Sequence, residues 1–341
     1  MCFIIVKDKT QFMKSTFLVI CILFLTCSND TSEIIEQDNN IPSVKQSSTY
    51  NIITEQDIVY AQGLSHTDWN TSQTTTQDLM LDVYYPDNEL DNRPVYLFIH
   101  GGGFIGGDKQ GGSVFNLANF YASRGWVFVS INYRLRDDFG TIPQQWEDYT
   151  SNITDPTVDI DQANAIYPAQ RDAKAAMRWL VTNADNYKIN TNYITVGGGS
   201  AGAITAITVG VSEPEDFTDE ISSTEDTTLS TTNLNSTYQV KTIIDHWGSK
   251  VALDILEDIY GHQRFDANDP PLFIVHGTQD PTVDYSNALA LKAIYENLNI
   301  PLAFYPIDEP GHGFWNTIID GKRLEELAFD FIVEQQQLQI D

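Results

Sequence analysis

The stretch TVGGGSAGA at residues 195–203 decides the fold of this 341-residue chain. It follows an apolar run at 193–196 and leads into a small-residue segment at 201–210, so Ser200 stands between a predicted strand and a predicted helix. Glycines two residues before and two residues after the serine let the strand and the helix pass closely. A G-x-S-x-G pattern in this context predicts a serine nucleophile on a strained turn from strand to helix.

Apolar runs alternate with helical patterns along the rest of the chain. The predicted strands lie at 79–85, 95–99, 127–131, 193–196, 272–275 and 302–305. The predicted helices lie at 115–124, 169–183, 201–210, 286–298 and 324–336. Near-continuous apolar runs are typical of strands buried on both faces of a parallel sheet. The alternation predicts an α/β fold with a mostly parallel central sheet flanked by helices.

The motif HGGGF at residues 100–104 directly follows a predicted strand. Its glycines leave backbone N–H groups uncovered, as a hole for a tetrahedral oxyanion requires. We expect the amides of Gly102 and Gly103, with the amide of Ala201, to be the donors. A phosphate-binding loop is the alternative, but no Lys-Ser/Thr pair follows and the spacing is not G-x-G-x-x-G. His100 is expected to be structural.

Two further motifs, HGTQDPTV at 276–283 and EPGHGFW at 309–315, also follow predicted strands. In open α/β sheets, sites are built at the carboxyl ends of the strands. We therefore predict that Asp280 orients His312 and that His312 is the base for Ser200. Asp284 is the alternative to Asp280.

Together the four motifs resemble those of the α/β-hydrolase carboxylesterases. The HGGG type, related to hormone-sensitive lipase and to bacterial acetyl- and feruloyl-esterase-like enzymes, is most similar. The resemblance covers roughly residues 75–335 and implies an α/β-hydrolase fold and serine esterase activity on short-chain or carbohydrate-linked acyl esters. It implies that Ser200 is acylated, that the amides of Gly102, Gly103 and Ala201 hold the oxyanion, and that water releases the acid. It implies no metal and no cofactor.

Three aromatic side chains, Phe104, Trp247 and Trp315, are candidates for the walls of the substrate pocket. Two alternative functions stay open. A serine peptidase of the prolyl-oligopeptidase type shares the fold and the order of the three residues, but it usually carries a propeller domain for which this chain has no room. A non-catalytic binding protein on the same fold commonly lacks one of the three residues, and all three are present here.

The first 27 residues are predicted to be a signal peptide of the lipoprotein type. Lys14 precedes the apolar run 17–25, which is too short to span a bilayer comfortably, and Cys27 follows as the expected lipidation site. The three cysteines all lie in this segment. The alternatives are a secreted protein without lipid and a retained membrane anchor. We expect the protein in the bacterial cell envelope, lipid-anchored or secreted.

Residues 28–48 are polar, lack periodicity and are predicted to be a flexible tether. Residues 49–341 are predicted to be a single domain with two insertions. The first, at 137–165, is expected to form a rim or cap over the site. The second, at 213–238, is expected to be a mobile, solvated insertion, with surface decoration as the alternative.

The chain carries 47 acidic and 19 basic residues, a net charge of −28. Such a surface repels phosphate groups, so nucleic acid and anionic membrane surfaces are poor candidates for partners, and we expect no nucleic-acid partner. The expected partner is a small-molecule or glycan-linked ester, with membrane contact only through the N-terminal lipid.

Overall fold

Twelve strands and seven α-helices occur in residues 41–341, the part of the chain that this computed structural model describes. The strands are β1 Ser43–Val44, β2 Ile52–His66, β3 Thr74–Pro86, β4 Arg93–Ile99, β5 Val127–Ile131, β6 Ile189–Gly199, β7 Val240–His246, β8 Leu272–Gln279, β9 Leu302–Pro310, β10 Ile318–Ile319, β11 Lys322–Arg323 and β12 Gln339–Ile340. The helices are α1 Gly112–Ala122, α2 Gln144–Ser151, α3 Ile160–Thr182, α4 Ala201–Val211, α5 Val251–Tyr260, α6 Ser286–Leu298 and α7 Leu324–Gln336.

The central sheet has the strand order β2-β3-β5-β4-β6-β7-β8-β9. Strands β5, β4, β6, β7, β8 and β9 are mutually parallel, and β3 and β2 add two antiparallel strands at one edge. The register pairs Ile99 with Gly198 and His246 with Gly199, so the carboxyl ends of β4, β6 and β7 lie side by side. The predicted, mostly parallel sheet is present.

Two helical layers cover the two faces of this sheet. Alternate residues of β4 belong to different cores: Val95 and Leu97 pack with α3 and α4, whereas Tyr96 and Phe98 pack with α1 and α7. Every residue of β4 is buried. Burial on both faces explains why the sequence of this strand is a continuous apolar run.

Strands β2 and β7 and helices α2 and α5 were not predicted. Strand β2 lies at the edge of the sheet, and residues 53–57 within it are exposed and largely polar. An exposed edge strand needs no apolar run, so no hydrophobic pattern marked it.

The insertion at 213–238 differs from the prediction of a mobile, solvated segment. Phe217, Ile221 and Leu229 are buried in the domain. Helix α3 presents Arg171, Lys174 and Arg178 on one face, since their spacing of three and four residues aligns them. The insertion covers this face because it supplies the oxygens that these buried cations need.

The contacts between α3 and the insertion are specific. Lys174 Nζ donates to the backbone oxygens of Glu213 and Asp216 at 2.6 and 2.7 Å. Arg178 Nε donates to Thr232 O at 2.7 Å, and Arg171 Nη1 lies 3.4 Å from Asp226 Oδ2. The Asp226 carboxylate also accepts from the amide of Thr228 at 2.9 Å. Polar contacts therefore anchor a segment whose composition indicated solvation.

Replacing Asp226 with alanine is expected to lower the free energy of unfolding by about 3 kcal/mol. Removal of one partner leaves the Arg171 cation buried without its counter-charge, and such losses cost about 3–5 kcal/mol. The measurement is urea denaturation. Asp219, exposed in the same insertion, gives the control Asp219→Ala, which should stay within about 0.5 kcal/mol of wild type. Equal midpoints for the two variants would contradict the burial of the Asp226–Arg171 ion pair between the insertion and α3.

The end of the predicted tether is also part of the domain. Val44 is buried, and β1 pairs in parallel with β12 through Ser43–Gln339 and Val44–Ile340. The amide of Lys45 donates to Arg124 O at 2.8 Å. Residues 42–45 are therefore held by backbone hydrogen bonds to the domain, contrary to the prediction of a flexible tether over 28–48. The predicted signal peptide, Cys27 and the rest of the tether lie outside the described residues.

Candidate active site

Ser200 lies on a strained turn between β6 and α4. Its backbone has φ 56° and ψ −122°, a combination that costs a non-glycine residue about 1–3 kcal/mol. The amide of Ser200 donates to His246 O at 2.9 Å, which ties the turn to the end of β7. A side chain at Gly202 would overlap the backbone oxygen of Ile99, and one at Gly198 would overlap Gly202. The glycines around Ser200 therefore serve close backbone packing.

The loop after β4 brings two backbone amides to the same place. Gly102 has φ 117°, and its carbonyl oxygen accepts from the amides of Ile105 and Gly106 at 3.0 and 3.1 Å. Within the described residues, the amides of Gly102 and Gly103 have no acceptor. Ala201 is the first residue of α4, where a helix leaves its N–H groups without intrahelical partners. The three predicted oxyanion donors thus have free amides.

Two side chains hold this loop. His100 stacks on Tyr133 with ring centroids 4.4 Å apart, and the Tyr133 hydroxyl donates to His100 O at 2.9 Å. Burial lowers the pKa of His100, which keeps its imidazole neutral. Gln162, in the first turn of α3, donates from Nε2 to Gly103 O at 2.7 Å. Nothing in the sequence marked Gln162, because it lies in the long insertion 137–165.

Asp280 and His312 form a hydrogen-bonded pair. His312 Nδ1 lies 2.7 Å from Asp280 Oδ2. The other carboxylate oxygen of Asp280 accepts from the amides of Thr282 and Val283 at 2.8 and 3.1 Å. Two backbone donors fix the carboxylate, so its remaining oxygen orients the imidazole.

Asp284, the alternative, does not take this part. It is exposed, and its carboxylate accepts from the amide of Ser286 at 2.8 Å, at the start of α6.

The remaining nitrogen of the imidazole, His312 Nε2, is buried and has no hydrogen-bond partner among the described residues. Ser200 and His312 line one cavity of about 440 Å³, here called the Ser200 cavity. Ser200 Oγ and His312 Nε2 are not hydrogen-bonded in it. In sites without substrate such bonds are often long and tighten when substrate binds.

His276 was not assigned a role from the sequence. It is fully buried, and its Nε2 lies 2.8 Å from Val283 O and 3.6 Å from Asp280 Oδ2. Burial lowers its pKa. His276 therefore stabilises the loop that carries Asp280. In the sequence, the feature that could have indicated this role is its position four residues before Asp280.

Of the three predicted pocket residues, Trp247 and Trp315 line the Ser200 cavity and Phe104 does not. The two tryptophan rings lie 4.8 Å apart between centroids, and a side chain at Gly199 would come within 2.7 Å of Trp315. Phe104 is buried in the core beside Tyr133 instead.

None of residues 137–165 or 213–238 lines the Ser200 cavity, contrary to the expectation that the first insertion forms a rim or cap over the site. Residues 213–238 line part of a different cavity, of about 400 Å³, with Lys174 and Arg178. In the first insertion, Trp146 of α2 is buried and its indole nitrogen donates to Ala163 O at 3.2 Å. This stretch therefore packs on α3, and Gln162 is its link to the site.

The described residues contain no group of three or more His, Cys, Asp or Glu side chains arranged to hold a metal ion. They also contain no helix that is both long and apolar enough to cross a membrane.

A model of the BD-FAE family matches residues 81–154 and 160–258, just over half of the chain. The chain belongs to the BD-FAE family. The matched segments include Gly102, Gly103 and Ser200, whereas Asp280 and His312 lie beyond them.

Esterases are among the relatives of this BD-FAE chain. Esterase LipC of Mycobacterium tuberculosis is 23% identical over 269 residues, which cover 72% of this chain and 58% of LipC. Gut esterase 1 of Caenorhabditis elegans is 30% identical over 126 residues, 37% of this chain and 19% of that protein. The chain thus spans less than two thirds of the length of these relatives.

Solved structures give the fold. Esterase Est2 of Thermogutta terrifontis with propionate bound superposes with a TM-score of 0.56 at 22% identity, over 82% of this chain and 94% of Est2. The structure of native Est2 superposes with a TM-score of 0.54, over 82% of this chain and 92% of Est2. The predicted α/β-hydrolase fold is confirmed.

Proposed function

We propose that this chain is a serine carboxylic-ester hydrolase of the HGGG type that acts through an acyl-enzyme intermediate. The proposal rests on the 2.7 Å hydrogen bond between Asp280 and His312, because the imidazole of His312 lines the same cavity as Ser200. Membership of the BD-FAE family and the esterases among its relatives support an ester as the substrate.

In the first half of the reaction, His312 Nε2 accepts the proton of Ser200 Oγ as the oxygen attacks the ester carbonyl. Asp280 holds the imidazole in the tautomer with its free nitrogen toward the serine and stabilises the imidazolium that forms. The carbonyl oxygen becomes an oxyanion, which the free amides of the loop and of Ala201 stabilise. His312 then gives its proton to the leaving alcohol.

In the second half, His312 takes a proton from water, which attacks the acyl-serine carbonyl. The same amides hold the second oxyanion, and the acid leaves as Ser200 regains its proton from His312. Every proton lost by one group is thus taken up by another.

We propose short-chain or carbohydrate-linked acyl esters as the substrate class. A cavity of about 440 Å³ is at the small end of the range for ligand pockets, which supports a short acyl group. Est2, with the same fold, has been solved with propionate and with butyrate bound. The discriminating measurement is a series of 4-nitrophenyl acyl esters beside acetylated xylan and feruloylated sugars.

Covalent labelling with a fluorophosphonate probe tests the proposal. Est2 has been solved phosphorylated by paraoxon, so an organophosphorus probe suits this fold. We expect one label per chain, and peptide mapping should assign it to Ser200. A folded protein that takes no label would instead support a non-catalytic binding protein. Labelling with turnover of aminoacyl amides but not of esters would support a peptidase.

We also propose export and lipidation at Cys27. The support is the basic start, the short apolar run and the cysteine that ends it. Bacterial cells that express the full chain should incorporate labelled palmitate into it, and Cys27→Ala should abolish the incorporation. Export without incorporation would indicate the secreted form.

Replacing Gln162 with leucine is expected to lower kcat for a short acyl ester about tenfold while KM changes less than about twofold. Gln162 touches neither Ser200 nor His312, but its amide holds the Gly103 carbonyl, and small displacements of stabilising groups are costly in the transition state. Steady-state kinetics give the two constants.

The matched control is Gln144→Leu, because Gln144 is exposed on α2 and donates only to Asp148 at 3.0 Å. Its kcat should equal that of wild type. If Gln162→Leu raised KM and left kcat unchanged, Gln162 would contribute to substrate binding rather than to the position of the loop.

A further inference from the structure

Among the described residues that line the Ser200 cavity, a single one is acidic. Asp108, just after the glycine loop, lines the cavity, and none of the described residues that line it is Lys or Arg. Ser113 and Thr282 contribute neutral hydroxyls. Burial lowers the pKa of His100, so this lining residue does not supply a positive charge at neutral pH.

No lysine, arginine or histidine among residues 41–341 forms an ion pair with the Asp108 carboxylate. It accepts hydrogen bonds from the Gln110 amide at 2.7 Å and from Asn132 Nδ2 at 3.3 Å, both neutral groups, and the residue is exposed. The adjacent Lys109 is buried and committed elsewhere. Its Nζ lies 2.8 Å from a carboxylate oxygen of Asp57 and 2.8 Å from one of Asp82.

The cavity is small enough that every part of a bound small ester lies within the electrostatic field of the Asp108 carboxylate. A sphere of 440 Å³ is roughly 9 Å across, which is about one Debye length at physiological ionic strength. A charge on the substrate therefore lies within about one Debye length of Asp108 and is only partly screened from it at physiological ionic strength, whichever side of the scissile bond carries it.

Two further features of the protein favour a cationic substrate. The net charge of −28 attracts cations toward the protein and repels anions, which changes association rates. Trp247 and Trp315 line the cavity, and indole rings attract cations through their faces.

We infer that the Ser200 cavity selects esters by charge, and that Asp108 is a specificity-determining residue. Esters with an ammonium group near the scissile carbonyl are preferred substrates, neutral esters follow, and esters with a carboxylate there are rejected. This inference rests on the proposed esterase function and adds a substrate class to it.

Three thioacetates that differ only in the leaving group test the inference. The leaving groups are thiocholine, its uncharged isostere 3,3-dimethylbutanethiol, and 3-mercaptopropanoate, and a thiol-reactive dye measures the thiol released. At low ionic strength we expect kcat/KM to fall about tenfold from the cationic to the neutral thioacetate, and about tenfold again to the anionic one. In about 1 M salt, where the Debye length is about 3 Å, both ratios should shrink.

The variant Asp108→Asn keeps the shape and an acceptor oxygen and removes the charge. Its cationic-to-neutral ratio should be at least about threefold smaller than that of wild type, as expected for loss of a close charge. The control Asp185→Asn removes the same charge from an exposed position before β6, at the opposite end of the strand from Ser200. Its ratio should equal that of wild type.

Equal kcat/KM for the three thioacetates in wild type would overturn the inference and leave the esterase proposal standing. So would the same ratio in Asp108→Asn as in Asp185→Asn. Failure to hydrolyse any of the three, together with the absence of fluorophosphonate labelling, would overturn the esterase proposal and this inference with it.

Discussion

Replacing Ser200 with alanine is expected to lower kcat for a short acyl ester by roughly 10⁶-fold while the protein stays folded. Without the hydroxyl no acyl-enzyme can form, and loss of such a nucleophile removes the contribution of its partners as well. The variant should keep a rate enhancement of about 10³- to 10⁴-fold over the uncatalysed reaction in water, which comes from the oxyanion donors and from substrate binding. The decisive measurement is steady-state turnover of a 4-nitrophenyl ester, with the label from a fluorophosphonate as a second readout.

The control for this variant is Ser230→Ala, because Ser230 is exposed and its hydroxyl donates only to Thr227 O at 3.1 Å. It should keep wild-type turnover and labelling. Thermal melting of Ser200→Ala should show a cooperative transition close to that of wild type, since the change removes one oxygen. Turnover within about tenfold of wild type, measured on protein free of other esterases, would exclude this serine as the nucleophile.

The sequence predicted the parts of the site that are encoded locally. Each of the residues Ser200, Asp280 and His312 follows an apolar strand and has glycine or turn-forming neighbours, so its position is readable from a few residues. Parallel strands end at one edge of a sheet, and this rule brings motifs that are 80 and 32 residues apart to the same place. The fold class followed from the same strands.

The parts that the sequence did not predict depend on contacts between distant polar groups. Gln162 and Gly103 are 59 residues apart, and the contact uses a backbone oxygen that any residue would offer. The insertion 213–238 resembled a solvated loop because Thr, Ser and acidic residues dominate it. The available indication of this packing lay in helix α3 rather than in the insertion itself. Helix α3 carries three cationic residues on one face, this face is buried, and buried cations need acceptors.

The prediction missed strand β2 and the residues around β1 for a related reason. Hydrophobic alternation marks a strand only where one face is buried, and β2 pairs through its backbone while residues 53–57 face solvent. Strand β1 has two residues, of which Val44 alone is buried. Backbone pairing of this kind leaves almost no trace in the sequence.

Asp280→Asn is expected to lower kcat by about 10,000-fold with little change in KM, the effect known for this substitution in serine hydrolases that use a carboxylate in this way. The asparagine oxygen can still accept from the amides of Thr282 and Val283, so the loop should keep its shape. Its NH₂ group then faces His312 Nδ1 and favours the tautomer whose proton is on Nε2. That nitrogen can no longer take the serine proton, so the nucleophile is present but inactive.

The protein contains its own matched control, because Asp284 is four residues away, also carries a carboxylate and also accepts from a backbone amide. Asp284→Asn should leave kcat within about twofold of wild type, since it removes only a surface charge away from His312. A direct comparison of the variants Asp280→Asn and Asp284→Asn separates the effect of orienting the imidazole from the effect of losing one negative charge. If Asp284→Asn abolished turnover and Asp280→Asn did not, the 2.7 Å contact between Asp280 and His312 would not be the one that the reaction uses, and the pairing of these side chains would have to change when substrate binds.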